Sequence, residues 1–247
     1  MQVHPLPLII AHRGASALAP ENTMAAFDLA LRAGADGIEL DVMLSADAEL
    51  VVIHDATVDR TTNGSGQVTA LTWAELRELD AGSHFSPEFQ SERLPRLAEV
   101  YEAFGGKFLI NVELKNYAHP MDELTEKAVL LTQQYGLSEK VIFSSFNPFN
   151  LTRAHRLDPR IRLGLLTNPG ASGALLRGPL GGLFPHQALH PYFKDVSKTM
   201  VQKAHQQGRQ VNPWTVNEAA DLRRMCDLGV DMIICNDPIA ARQVLEA

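Results

Sequence analysis

The sequence predicts a (β/α)8 TIM barrel carrying one small insertion after its second strand and hairpin. Short apolar runs alternate with helically spaced segments along most of the 247 residues. Setting aside the return arm of that hairpin, the long strands come to eight, with helices between most of them. The length also suits such a barrel as a single domain, residues 1–247. A doubly wound open sheet is the runner-up, but no G-x-G-x-x-G follows the first strand and no P-loop occurs.

The elements follow in order. Leu8-Ile9-Ile10-Ala11 is a buried parallel strand opening into His12-Arg13-Gly14. Thr23 to Ala33 has helical spacing (Phe27, Ala30, Leu31) and stops at Gly34, with Asn22 as its N-cap or part of one. Gly37 to Asp55 is a hairpin turning on Ser45-Ala46-Asp47-Ala48, which sets Asp41 across from roughly residue 53. The rhythm is lost over about residues 56–93, where Arg60-Thr61-Thr62-Asn63-Gly64 is turn-like and Thr72-Trp73-Ala74-Glu75 is a capping box. Too few apolar residues lie there for an independent core, so the stretch is an insertion over the barrel mouth. Alternation then resumes: helix 97–104, strand 108–114, helix 123–135, strand 141–145, helix 149–157, strand 161–166. The Gly-rich 167–187 segment allows a distorted helix around Ala174-Leu175-Leu176. Strand 188–190, helix 198–207, strand 210–214, helix 218–228, strand 232–235 and helix 240–245 complete the chain.

A net charge of −7 and no basic run disfavour nucleic acid or an anionic membrane as partner. The opening MQVHPLPLIIAHRG has no basic n-region and is broken by Pro5 and Pro7, so it reads as neither a signal peptide nor a membrane span. No later window is apolar for long enough to cross a bilayer, and the expected compartment is the cytoplasm. Cys226 and Cys235 lack any framework or metal-knuckle spacing and read as reduced thiols.

The chemistry collects at the C-terminal strand ends, the active face of such a barrel. Glu39 and Asp41 lie two apart and project to one side of a strand, with His54 returning to their level. Asn111, Glu113 and Lys115 do the same on the next barrel strand, His12 and Arg13 close the first, Trp214 closes the seventh, and Asn236-Asp237 follow the eighth. Glu39, Asp41 and Glu113 offer three hard oxygen ligands, suited to Mg2+ or Ca2+ and poor for Zn2+. Arg13 and Lys115 beside a cation point to an anionic substrate, most simply a phosphate. His12 and His54 could flank that anion as general base and general acid. The implied class is metal-assisted phosphoester cleavage. The plainer readings stand alongside: Glu113 as salt-bridge partner of Lys115 or Arg13, His12 as a structural histidine, Trp214 as core packing or as a substrate wall. His84, His119, His155 and His205 receive no role.

His12-Arg13-Gly14, Pro20-Glu21-Asn22-Thr23, Glu39-Leu40-Asp41-Val42, His54-Asp55 and Arg60-Thr61-Thr62-Asn63-Gly64 together resemble the glycerophosphodiester phosphodiesterase family. Glu113-Leu114-Lys115, Ser144-Ser145-Phe146, Trp214-Thr215-Val216-Asn217 and Asp237-Pro238 continue the resemblance over essentially the whole chain. The length and the lack of a leader resemble the small cytosolic bacterial members. The resemblance implies a TIM barrel hydrolysing deacylated phospholipid headgroups, such as glycerophosphocholine, to glycerol 3-phosphate and an alcohol. It implies Glu39, Asp41 and Glu113 as metal ligands, His12 and His54 as the acid/base pair, and Arg13 and Lys115 as phosphate holders. Two stretches depart, Leu94-Pro95-Arg96-Leu97 where Ile-Pro-Thr-Leu is common and Asn236 before Asp237 where threonine is usual, and neither is expected to touch the metal or acid/base set. The alternatives are a phospholipase D-like enzyme on lysolipids or sphingolipids, with Leu175-Leu176 and 180–184 facing the acyl chain, and a non-catalytic phosphodiester-binding protein.

Overall fold

Strand β1 (Leu8–His12) pairs in parallel with β2 (Gly37–Leu44) on one side and with β9 (Met232–Cys235) on the other, so the first and last strands are neighbours. The computed structural model describes residues 6–247; the first five residues of the stretch read above as neither leader nor span lie outside them. From β2 the parallel order runs through β4 (Leu109–Leu114), β5 (Val141–Ser145), β6 (Arg162–Thr167), β7 (Ala188–Pro191) and β8 (Gln210–Val211). The ring closes by backbone bonds from Asp231 N to Val211 O (3.0 Å) and Ile234 N to Pro213 O (3.0 Å). The eighth barrel strand is shorter than the predicted 210–214. Pro213 has no N–H to give the ladder, and pairing resumes only at Trp214 against Tyr192.

The short antiparallel arm β3 (Leu50–Val52) hangs on β2 with Val42 opposite Val52, and Ile53 N donates to Asp41 O at 3.0 Å. This is the predicted register. The helices are α1 (Met24–Arg32), α2 (Trp73–Leu76, in the insertion), α3 (Leu97–Phe104), α4 (Leu124–Gln134), α5 (Pro148–Leu157), α6 (Ala171–Arg177), α7 (Lys198–Gln206), α8 (Ala219–Leu228) and α9 (Pro238–Glu246). The Gly-rich segment thus contributes a helix of seven residues. Thr23, not Asn22, caps α1, its hydroxyl accepting from Ala26 N. The predicted capping box forms at Thr72 and Glu75.

Period-two alternation sorts each strand into an outer and an inner set. Outward residues such as Ala11, Ile38, Leu40, Val112, Phe143 and Leu163 meet Phe27, Leu97, Tyr101 and Leu151 from the helices and form the main core. Ile9, Val211, Ile233 and Cys235 do the same toward α7 to α9 with Val201, Leu222, Met225 and Ala241. Lower in the barrel the inner set includes the apolar residues Ile10, Ile142 and Met232 with Leu109 against them, and it turns polar toward the C-terminal ends, where Ile234 and Trp214 border the cavity. Gly164 belongs to this inner set, and a Cβ there would lie 2.5 Å from His190 Nε2. The insertion does hold an apolar cluster, Val58, Val68, Leu76, Ala81 and Leu94, but its other wall is Met43, Val51 and Ile53 of the hairpin. Arg96, one of the two departures noted above, stacks 5.2 Å over Trp73 and helps seat it.

Among the described residues no helix is long and apolar enough to cross a membrane. Both cysteines are free.

Candidate active site

The register between β2 and β4 sets Asp41 opposite Glu113 and Glu39 opposite Asn111, all on the inner face. Oxygens of Glu39, Asp41 and Glu113 lie within 4.8 Å of one another, the one such cluster of three among the described residues. All three carboxylates are buried.

Each is held differently. Asp41 receives Asn22 Nδ2 at 2.9 Å, with Arg13 Nε at 3.3 Å and Lys115 Nζ at 3.4 Å. Burial opposes its ionisation, but the charges of Lys115 and Arg13 hold its carboxyl down to about 2. Glu113 accepts from the Tyr117 hydroxyl at 2.7 Å and stands 3.5 Å from Lys115 Nζ. Burial pushes it up despite that lysine. Glu39 has the backbone N–H of Arg13 at 3.0 Å and His12 Nε2 at 4.0 Å. Burial first, then the charges of Asp41 and Glu113, raise its carboxyl well above the usual range. An all-oxygen set with Glu39 so lightly partnered fits a hard divalent cation. Three carboxylates against Arg13 and Lys115 leave a deficit of positive charge that such an ion reverses.

The loop after β1 is shaped by two left-handed residues, Arg13 (φ 57°) and Gly14 (φ 80°). A Cβ at Gly14 would sit 2.7 Å from the Ala26 backbone, so α1 can approach only a glycine here. Asn22 is also left-handed (φ 57°), and its N–H returns to Arg13 O at 2.9 Å. Its side chain therefore serves Asp41, not the helix it was expected to cap.

A cavity of about 160 Å3 opens beside the cluster, walled by His12, Arg13, Glu39, His54, Glu113, Lys115 and Trp214, with Asn111, Ser144 and Phe146. The eight residues singled out from the sequence are thus together: seven line the cavity, and Asp41 lies behind them in the cluster. His12 Nδ1 is 2.8 Å from Asn236 Oδ1. This corrects the expectation that Asn236 stays clear of the acid/base set. Burial, then the Arg13 charge, lowers the His12 imidazole to about 4. His54 Nδ1 lies 2.6 Å from Asp55 Oδ1. Trp214 lines the cavity, donates to His190 O at 2.9 Å and packs edge-on to Phe146 at 5.6 Å.

Reading the chain missed Tyr117 and misplaced Asn22 and Asn236. Tyr117 stands in a loop beyond β4 but continues the period-two series of Asn111, Glu113 and Lys115, the one signal that could have marked it. Asn22 sits where a cap belongs, and only its backbone geometry reveals its partner.

A family model described as the glycerophosphoryl diester phosphodiesterase family matches residues 12–240. The chain is 43% identical over 232 residues to the glycerophosphodiester phosphodiesterase of Caldanaerobacter subterraneus subsp. tengcongensis, covering 94% of each chain. It is 38% identical to that of Bacillus altitudinis, over 96% of this chain and 98% of the relative. Among solved structures, a phosphodiesterase of Oleispira antarctica in complex with the product sn-glycerol-3-phosphate superposes with a TM-score of 0.88 at 32% identity, over 98% of both chains. A glycerophosphodiester phosphodiesterase of Agrobacterium tumefaciens superposes with 0.84 at 30% identity, over 96% of this chain and 100% of that one. The molecule is therefore an enzyme of the phosphoric diester hydrolase class. It belongs to the glycerophosphoryl diester phosphodiesterase family.

Proposed function

We propose that the enzyme hydrolyses water-soluble glycerophosphodiesters, such as glycerophosphocholine and glycerophosphoethanolamine, to sn-glycerol 3-phosphate and an alcohol. The reading rests on one observation: a carboxylate triad, two imidazoles, a guanidinium and an ammonium meet at a single small cavity. Glu39, Asp41 and Glu113 would hold one Mg2+ or Ca2+, which when bound supplies positive charge against the phosphoryl oxygens.

The chain's own groups do the rest. Arg13 and Lys115 bind and orient the phosphate as fork and point donors respectively. His12 donates Nδ1–H to the Asn236 amide oxygen, which leaves a lone pair on Nε2 toward the cavity. Its lowered basicity keeps it unprotonated at neutral pH, the form a general base needs. It takes the proton of the attacking hydroxyl as the new P–O bond forms. His54, backed by the Asp55 carboxylate, delivers a proton to the departing alcohol oxygen as the old P–O bond breaks. The attacking hydroxyl is water, or the glycerol's own neighbouring one, which would give a cyclic phosphate that water then opens to glycerol 3-phosphate; turnover of an analogue lacking that hydroxyl excludes the cyclic route. Trp214 and Phe146 wall the site with aromatic faces.

The test is glycerol 3-phosphate release from a panel of glycerophosphodiesters, with chelator and Mg2+ or Ca2+ add-back, and lysolipid micelles in parallel. Release from the soluble diesters alone, abolished by chelator, is expected. Release only from lysolipids, or from nothing with either cation, would overturn the reading.

A further inference from the structure

One guanidinium from the insertion joins the two halves of this site. Arg60 donates from Nη1 and Nη2 to the two oxygens of Glu21, each at 2.8 Å. It also donates from Nε to Asp55 Oδ2 at 2.6 Å and from Nη2 to Asp55 Oδ1 at 3.2 Å. Each carboxylate holds a cavity residue with the same oxygen that Nη2 reaches. Glu21 Oε1 takes Arg13 Nη1 at 2.8 Å, and Asp55 Oδ1 takes His54 Nδ1 at 2.6 Å. The result is an unbroken chain, Arg13–Glu21–Arg60–Asp55–His54.

We propose that Arg60 is a positioning residue that sets the place and tautomer of His54 through Asp55, and the aim of Arg13 through Glu21. The role assigned to His54 and Arg13 rests on the proposed function above; the arginine's task follows from geometry. Its side chain is half exposed, and ion pairs of that exposure add little stability on their own. What it supplies is shape. A planar fork can grip two carboxylates at once, which a lysine ammonium cannot do with the same geometry. The fork is also delivered rigidly. Thr61 and Thr62, next along the chain, are buried, Thr62 Oγ1 donates to Val58 O at 2.7 Å, and Asn63 and Asp80 exchange bonds of 3.1 and 2.9 Å. The insertion thus brings in a cross-brace from outside the barrel. Asp55, kept ionised chiefly by Arg60, accepts Nδ1–H of His54 and leaves Nε2 as the atom that handles the substrate proton.

The test compares Arg60→Met, Arg60→Lys, Asp55→Asn and the Arg60→Met/Asp55→Asn double variant. Arg60→Met is expected to lower kcat about 100-fold, as small misplacements of catalytic groups do, with a smaller change in KM. Arg60→Lys recovers less than half of that loss on a logarithmic scale. The double variant falls no more than about threefold below the worse single variant, because both changes break one linkage. Imidazole 15N NMR of histidine-labelled protein supplies a readout that needs no turnover: wild type holds His54 as the Nδ1–H tautomer or the doubly protonated ring, and Arg60→Met mixes in the Nε2–H tautomer. That arm decides the role of Arg60 even if no diester on the panel is cleaved. Full kcat in folded Arg60→Met, additive losses in the double variant, or an unchanged His54 tautomer would each overturn the proposal. A lowered melting temperature with activity intact would do the same, since it marks a merely structural arginine.

Discussion

His12 Nδ1 and Asn236 Oδ1, 224 residues apart in the chain, face each other at 2.8 Å across the seam between the first and last strands. If His12 is the general base proposed above, the Asn236 amide oxygen would select the imidazole nitrogen left free to take the proton.

Replacing it tests that. Asn236→Leu should lower kcat about tenfold, the worth of roughly one hydrogen bond expressed in a barrier. Asn236→Thr, which keeps an acceptor, should stay within about threefold of wild type in the same steady-state assay. Equal losses in the two variants would show that the acceptor is irrelevant.

The division of labour between the histidines is read with an ester whose leaving group needs no proton. On such a substrate His54→Ala should regain most of its lost rate relative to an alkyl ester, whereas His12→Ala should not. Recovery by the His12 variant instead would reverse the assignment.

Cation affinity should weaken in acid. The Glu39 carboxyl is raised above the usual range by burial and by Asp41 and Glu113, so protons compete with an incoming ion at this site. For one proton displaced, the dissociation constant rises up to about tenfold for each pH unit lowered, over the range where the ion-free site is protonated. Isothermal titration with Mg2+ or Ca2+ in buffers of different ionisation enthalpy measures both the slope and the proton count; a flat profile with no proton released would refute it.

Lys115 stands 3.4 Å from Asp41 and 3.5 Å from Glu113, almost wholly buried. Lys115→Met should cost about 3 kcal/mol of ion-free stability in urea melts, because two buried carboxylates lose their shared partner. Saturating divalent cation should restore part of it. A loss unaffected by the ion would mean that the lysine supports packing alone.

Acid stability should depend on a site far from the cavity. Asp158 is almost wholly buried and takes Arg160 Nη2 at 2.7 Å, Ser138 Oγ at 2.8 Å and Gln133 Nε2 at 3.1 Å. The Arg160 hydrogen bond is the largest cause holding its carboxyl below the usual range, and Glu21, gripped by Arg60 and Arg13 against its burial, is held to about 2. Depressed folded values stabilise the chain above the unfolded value of about 4 and lose that contribution as pH falls through the folded value. The melting temperature should therefore drop between about pH 4.5 and 2, and Asp158→Asn should lower it at neutrality and flatten the acid limb. An unaltered acid limb in that variant would remove Asp158 from the account.

Much of the site was legible because it is written in strand periodicity. Glu39, Asp41 and Glu113 fall on inner positions of neighbouring strands, so counting by twos on two apolar runs brings them together. The hairpin register followed from a short polar turn, and Asp41 does lie opposite residue 53. Loops obey no such count. Asn22 turns toward Asp41 because its own backbone and that of Arg13 are left-handed, a conformation that composition does not announce. Tyr117 and Asn236, just past strand ends, still continue the inward series Asn111-Glu113-Lys115 and Met232-Ile234, so the same count carried one step further reaches them. Pro213 was visible in the sequence, and its missing donor explains why the last part of the predicted 210–214 strand falls outside the ladder.

The acids proposed to hold the ion come from two strands that lie side by side, whereas the imidazole proposed to accept the proton is set by a clasp between the chain's two extremities. These two capacities need not fail together. On the roles proposed above, loosening of β9 alone would silence turnover while the acids kept their grip on the ion, leaving a molecule that still sequesters its cofactor but has lost its chemistry.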